Sequence, residues 1–206
     1  MKAYKKKKMA PVEFVKRVHS FVRDRRGVAA LEFALIAPVM IALYMGSVEV
    51  TAGLDLNKNL GRATSMVADL INQQKTTISA DDINKIMDIG TATLLPYTRD
   101  TPQITVTSIT ISAAKVATVA WSRRKVNLTY TTPYKAGDAV ALNANLLVPS
   151  TSVIRVEMSI AYVPLMAFYM KNAVTTATGA SEIGITMAKT AYGRVRQGTS
   201  LTCSGC

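Results

Sequence analysis

The sequence predicts an α+β protein: a long N-terminal transmembrane helix that continues into an exported domain with an antiparallel sheet. Three observations carry this. Residues 28–46 hold one charged residue, Glu32, in nineteen. Leu56, Leu60, Ala63, Val67 and Leu70 recur at spacings of four and three, one face of a helix. Farther on, Ile154, Val156, Met158, Ile160 and Tyr162 alternate with Arg155, Glu157 and Ser159, the pattern of a half-buried strand. A helix followed by strands packs as a helix on one face of a sheet.

Composition narrows the class. The chain has 206 residues and is 49% apolar, which excludes a disordered polymer and leaves room for a sizeable core. Its net charge of +12 is unevenly placed. Residues 1–26 carry ten basic and two acidic side chains, a net +8, whereas residues 27–206 carry only +4. A basic run invites a nucleic-acid reading, since Lys and Arg neutralise phosphates. The apolar run beside it argues for a membrane instead. As a helix, residues 28–46 span roughly 28 Å, most of a ~30 Å hydrocarbon core. Basic residues flank such spans on the cytoplasmic side. The expected organisation is therefore a basic cytoplasmic leader at 1–27 and a transmembrane segment at 28–50. An amphipathic continuation of the helix follows at 51–75, then an exported domain at 76–206. Nucleic acid is not an expected partner.

Residues 1–50 admit three readings. A secretory signal peptide has a plausible cut at Val50-Thr51-Ala52, but its apolar core is shorter than this one and carries no Glu32. A plain anchor explains length and flanks, but not a carboxylate five residues into the apolar run. The third reading starts from Arg25-Arg26-Gly27-Val28-Ala29-Ala30-Leu31-Glu32-Phe33. This stretch resembles the type III signal of type IV pilins, which a prepilin peptidase cuts after a Gly at the cytoplasmic face. Continued through Ala34-Leu35-Ile36-Ala37-Pro38, with Gly46-Ser47-Val48-Glu49 downstream, it resembles the N-terminus of TadE-like proteins, minor pseudopilins of the Tad (Flp, type IVc) pilus system.

That resemblance implies cleavage between Gly27 and Val28, with Glu32 at mature position five and Phe33 in place of the aromatic that often follows. Gly27 lacks a side chain, so its backbone can enter a protease cleft. Cleavage leaves an α-amino group on Val28, and Glu32 lies four residues on, along the same helical face. In the family such a Glu is thought to pair with the N-terminal amine of a neighbouring subunit. The alternative is that Glu32 snorkels to the interface or favours the helix N-terminus electrostatically. The partners implied are the bacterial inner membrane, a prepilin peptidase, other pilins and pseudopilins and the Tad assembly machinery, with the C-terminal domain periplasmic, or extracellular after pilus assembly. The competing function is a single-pass, membrane-anchored periplasmic binding or adhesion domain.

The elements follow in order. Pro38 lies inside the span, where a kink is expected. Glu49 closes the apolar run as a solvated interfacial residue. The continuation either belongs to one long helix or restarts after a turn at Gly53. Residues 72–77 read as a loop. Ser79 before Ala80-Asp81-Asp82 is a helix start, with apolar Ile83, Ile86 and Met87, fading before Pro96. Gln103–Ser112 is a strand whose alternation shifts phase between Val106 and Ile109, pointing to a bulge or two-sided burial. Lys115–Trp121 pairs with it across Ala113-Ala114, and Lys125–Tyr130 forms a further strand. Arg123-Arg124-Lys125 then falls in a solvated turn. Asn172–Ala180 is a loop, and Ile183, Ile185 and Met187 mark the last strand.

Catalytic constellations fail. The only His is His19, in the basic leader, so no His-based triad or pair exists. Asp55-Leu56-Asn57-Lys58-Asn59 starts like a calcium loop, but the glycine is one place late and position twelve is Met66. No enzyme activity, metal or cofactor is expected. Cys203-Ser204-Gly205-Cys206 ends the chain. Outside the cytoplasm a disulfide is the default. An intermolecular thiol or a redox or metal role are the alternatives, though zinc needs four ligands.

Overall fold

The computed structural model describes residues 27–165, 184–196 and 198–206. Residues 1–26, all of the expected leader 1–27 but Gly27, with His19, Arg25 and Arg26, lie outside them, as do the predicted 172–180 loop and Ile183. Helix α1 runs Val28–Asn72, 45 residues without interruption, through Pro38 and through Gly53. A restart at Gly53 is thus not what forms. The chain divides into two compact units between Val48 and Glu49, within α1.

In the second unit, Leu56, Leu60, Ala63 and Val67 are fully buried, as the stripe predicts. Its last member differs: Leu70 is half-buried and Ile71 takes the core position. A helix advances 3.6 residues per turn, so a stripe read at spacings of four and three drifts by its fourth turn. After a short strand β1 (Thr77–Ser79), helix α2 (Ala80–Ala92) starts as predicted. The Ser79 side chain caps it by accepting from the Asp82 N–H at 3.1 Å. Ile83, Ile86 and Met87 face the core.

The sheet has five antiparallel strands: β2 (Gln103–Ile111), β3 (Ala117–Val126), β4 (Thr129–Thr131), β5 (Thr151–Tyr162) and β6 (Ile185–Arg194). Their spatial order is β4-β3-β2-β5-β6. The phase change read in β2 has two sources. The β2–β3 register shifts between Ser108 and Ile109, where Trp121 and Val119 are the partners and Ala120 is the extra residue. The strand is also buried on both faces. Ile104 and Val106 join the main core under the helices, while Ile109 and Ile111 join a second cluster covered by Val140, Leu142 and Leu147.

Three expectations in this region are corrected. Lys115 is not in a strand; it takes φ 60° in the turn of the β2–β3 hairpin. Lys125 and Val126 end β3 rather than start a new strand, and Asn127, at φ 54°, turns the chain into the short β4. Arg123-Arg124-Lys125 is therefore strand, not turn. Lys125 is buried against α2, its Nζ 2.6 Å from Asp88 Oδ1 and 3.2 Å from Thr91 Oγ1. Arg123 donates to Asn84 on the same helix at 3.1 Å. The reading failed because long cationic side chains bury their stems and reach partners from a strand as easily as from a loop.

β6 is also not the last strand. A C-terminal β7 (Thr202–Ser204) pairs in parallel with β1, joining Thr77 to Thr202 and Ser79 to Ser204. The chain end is held by burial of Leu201 and by the Trp121 indole N–H, which donates to the Leu201 carbonyl at 2.7 Å.

Candidate functional site

Gly27 is exposed and immediately precedes the first residue of α1, Val28. The proposed scissile bond thus joins a residue with open space around it to a helix N-terminus. Glu32 lies in the second turn, exposed, and the first turn holds no acidic residue. Phe33 is 72% exposed, and Leu31, Leu35, Ile41 and Leu43 are similarly uncovered. The most apolar 18-residue window of α1 has a mean hydropathy of 2.1, and none of it is buried. In water such a surface costs roughly 25 cal/mol per Å². By length and composition the helix can cross a membrane.

Where the second unit begins, the sequence reading missed a polar clasp. Glu49 is not left to solvent. Its Oε1 accepts from the Leu165 N–H at 2.6 Å, and its Oε2 accepts from the Tyr162 hydroxyl. That hydroxyl also reaches the Glu49 carbonyl oxygen at 3.0 Å. Tyr162 stacks on Tyr97 with ring centroids 6.1 Å apart, and the Arg99 guanidinium lies 5.0 and 5.4 Å from the two centroids.

The Tyr97 hydroxyl donates to the Ala161 carbonyl at 2.7 Å and accepts from the Val163 N–H at 2.8 Å. Arg99 donates to the Val163 carbonyl at 2.6 Å, and Asp100 accepts from the Ala161 N–H at 2.8 Å. The main chain beyond β5 is thereby satisfied by side chains where the ladder stops. Burial, then the hydrogen bond to Glu49, push the Tyr162 phenol up to about 12, so it stays a donor at any physiological pH. Burial likewise raises Tyr97. A signal for this clasp existed in the sequence: a lone carboxylate ending an apolar run is expensive unless partnered. Its partners, more than a hundred residues away, had no local signature.

Cys203 and Cys206 form a disulfide with Cα atoms 5.8 Å apart. It sits on β7, with Cys203 partly packed on the core and Cys206 exposed. Of the sequence-predicted site residues, the structure places Gly27 immediately before α1, Val28, Glu32 and Phe33 in its first two turns, and the two cysteines together at the chain end. Among the described residues no group of three His, Cys, Asp or Glu gathers in a metal-like cluster.

This arrangement, a glycine, then an unburied apolar helix with a carboxylate in its second turn, running into a packed half, can be set against known families. Residues 27–69 match the family of TadE-like proteins. The match opens on Gly27 and closes on Asp69, three residues before α1 ends. It therefore takes in the glycine, Glu32, Phe33, Pro38, the clasp residue Glu49 and the buried stripe, the same segment that carried the resemblance. No curated protein and no solved structure matches the chain.

Proposed function

We propose that this chain is a membrane-anchored minor pseudopilin of a Tad-type pilus, structural and non-catalytic. It is inserted with its N-terminus in the cytoplasm and its C-terminal domain in the periplasm, and is cut by a prepilin peptidase between Gly27 and Val28. The observation that carries this reading is the TadE-like match over a helix whose first residue is Val28 and whose first half is apolar and uncovered.

The mechanism follows from what the cut would leave. The basic leader departs, and with it two thirds of the net charge. The apolar helix stays attached, now starting at an α-amino group with Glu32 one turn away. In lipid neither charge is stable alone, so a pairing of the amine with a carboxylate on a neighbouring copy sets axial register between helices. Pilus partners bury the apolar helix, and the domain rides on it. A signal-peptide cut before Gly53 is disfavoured, because it would fall inside a continuous helix and detach Glu49 from Tyr162 and Leu165.

The test is to express the chain with and without a prepilin peptidase and sequence the mature N-terminus. A start at Val28 is expected with the peptidase. A start at Gly53, or an uncut chain beside a competent peptidase, overturns the proposal.

A further inference from the structure

The two ends of the folded domain differ in surface chemistry. One end holds Glu49, the first residue of the domain unit. Ile185 lies there, in register with Tyr162, whose hydroxyl bonds Glu49. The β3–β4 turn lies there too, because it extends β3 past the Ile104–Lys125 pair, and its Asn127 accepts from Thr101. Leu95 precedes Tyr97, which is bonded to Ala161 and Val163. Leu54 follows Glu49 by little more than a turn of α1.

All of these tips are apolar and uncovered. Leu128 is 92% exposed, Ile185 65%, Leu95 62%, Leu54 55% and Val126 41%. Neither the 93–98 loop nor the 126–129 turn contains a charged side chain. The opposite end is built otherwise. Lys115 occupies the β2–β3 hairpin, Lys135 and Asp138 the loop that covers the second cluster, and Arg194 the end of β6. Among the described residues Val116, and Tyr192 two residues before Arg194, are the large apolar side chains exposed on that side.

Single exposed apolar residues need no explanation, but a set gathered at one end does, where the charged Glu49, Arg99 and Asp100 are engaged in the clasp rather than displayed at the tips. Chain connectivity names the occupant. Glu49 follows Val48 directly, and one residue spans at most about 3.6 Å, so Glu49 itself lies at the membrane surface whenever the preceding helix is in the bilayer. We infer that the Glu49 end of the domain is a lipid-docking surface, its Leu95, Leu128 and Ile185 tips seated in the interfacial layer of the bilayer that anchors the chain. This rests on the membrane-anchored reading above. It assigns the domain a second membrane contact, of the monotopic kind, in which apolar tips insert shallowly among headgroups.

The test uses the full chain in vesicles of phosphatidylethanolamine with a minority of phosphatidylglycerol. A nitroxide is attached at Leu128→Cys, at Ile185→Cys, at Val116→Cys as the opposite-end control and at Leu35→Cys within the span. Collision with oxygen, which concentrates in lipid, is compared with collision with a water-soluble nickel chelate. Trp121 emission checks that each variant is folded. The expected result is a preference for oxygen at positions 35, 128 and 185 and for the nickel chelate at 116. If position 35 favours oxygen while both 128 and 185 match 116, the docking surface is overturned and the anchoring stands. If 128 and 185 are shielded from both reagents, the end contacts protein rather than lipid, and the inference is likewise overturned. If position 35 itself favours the nickel chelate, the anchoring fails and the docking surface with it.

Discussion

Substituting Glu49 separates a structural clasp from a solvated interfacial carboxylate. Its side chain accepts from the Leu165 N–H at 2.6 Å and from the Tyr162 hydroxyl. Hydrogen bonds to a charged acceptor contribute about 1.5–3 kcal/mol each. The two do not simply add here. In Glu49→Ala the Tyr162 hydroxyl keeps the main-chain carbonyl of residue 49 at 3.0 Å, and the half-buried Leu165 amide can turn to water. A loss of about 2–3 kcal/mol is the expected sum, against about 0.5 for a solvated surface position.

Glu49→Gln keeps the shape and removes the charge. Combined with Tyr162→Phe in a double-mutant cycle, it should give a coupling of about 1 kcal/mol. Trp121 is the only tryptophan and is buried in β3, so its emission reports unfolding of the domain alone. Urea titration of the full chain in detergent micelles, followed at Trp121, supplies the energies. A Glu49→Ala loss below about 0.5 kcal/mol together with coupling within about 0.3 would refute the clasp.

Two further outcomes follow from the same packing. A Cβ added at Gly90 would sit 2.5 Å from Val67 Cγ2, a β-branched side chain fixed on α1, so Gly90→Ala should cost about 1–3 kcal/mol despite better helix propensity. Val67→Ala in the same chain should recover part of that loss in the urea titration, and additive losses would show that the two helices do not meet at Gly90. High pH should destabilise the domain: Tyr162 titrates near 10 when unfolded and about 12 when folded, so its contribution is complete below pH 10 and disappears as pH rises from 10 through 12. Tyr97 and Tyr130 shift in the same direction, and Tyr162→Phe should visibly shallow the alkaline fall in urea midpoint; an unchanged slope would count against the phenol as its source.

How much was legible depends on the range of the signal. Periodicity is local, so α1, the Ser79 cap, the β2 phase shift and β5 could be read from neighbouring residues. The Gly27-to-Glu49 pattern was legible for the same reason, being a signal written along one helix. What was lost is pairing at a distance. β7 is three residues long, too short for periodicity, and exists because β1 offers it an edge 125 positions earlier and Trp121 binds the Leu201 carbonyl. Arg123-Arg124-Lys125 looked like a turn because charge was taken as a sign of solvent, whereas Lys125 is drawn inward by Asp88 on α2, whose carboxyl that bond holds below its usual range.

Glu49 joins the two kinds of information. In sequence it ends an apolar run; in space it begins the folded domain. Up to Val48, α1 exposes apolar side chains that only lipid or other helices can cover, and from Leu56 it buries them against the sheet. The change of environment happens within two turns of one uninterrupted helix. A carboxylate at that point, bonded to the end of β5, fixes where the domain begins along the helix. The net charge of +12 says little about the folded domain, because +8 of it lies in residues 1–26.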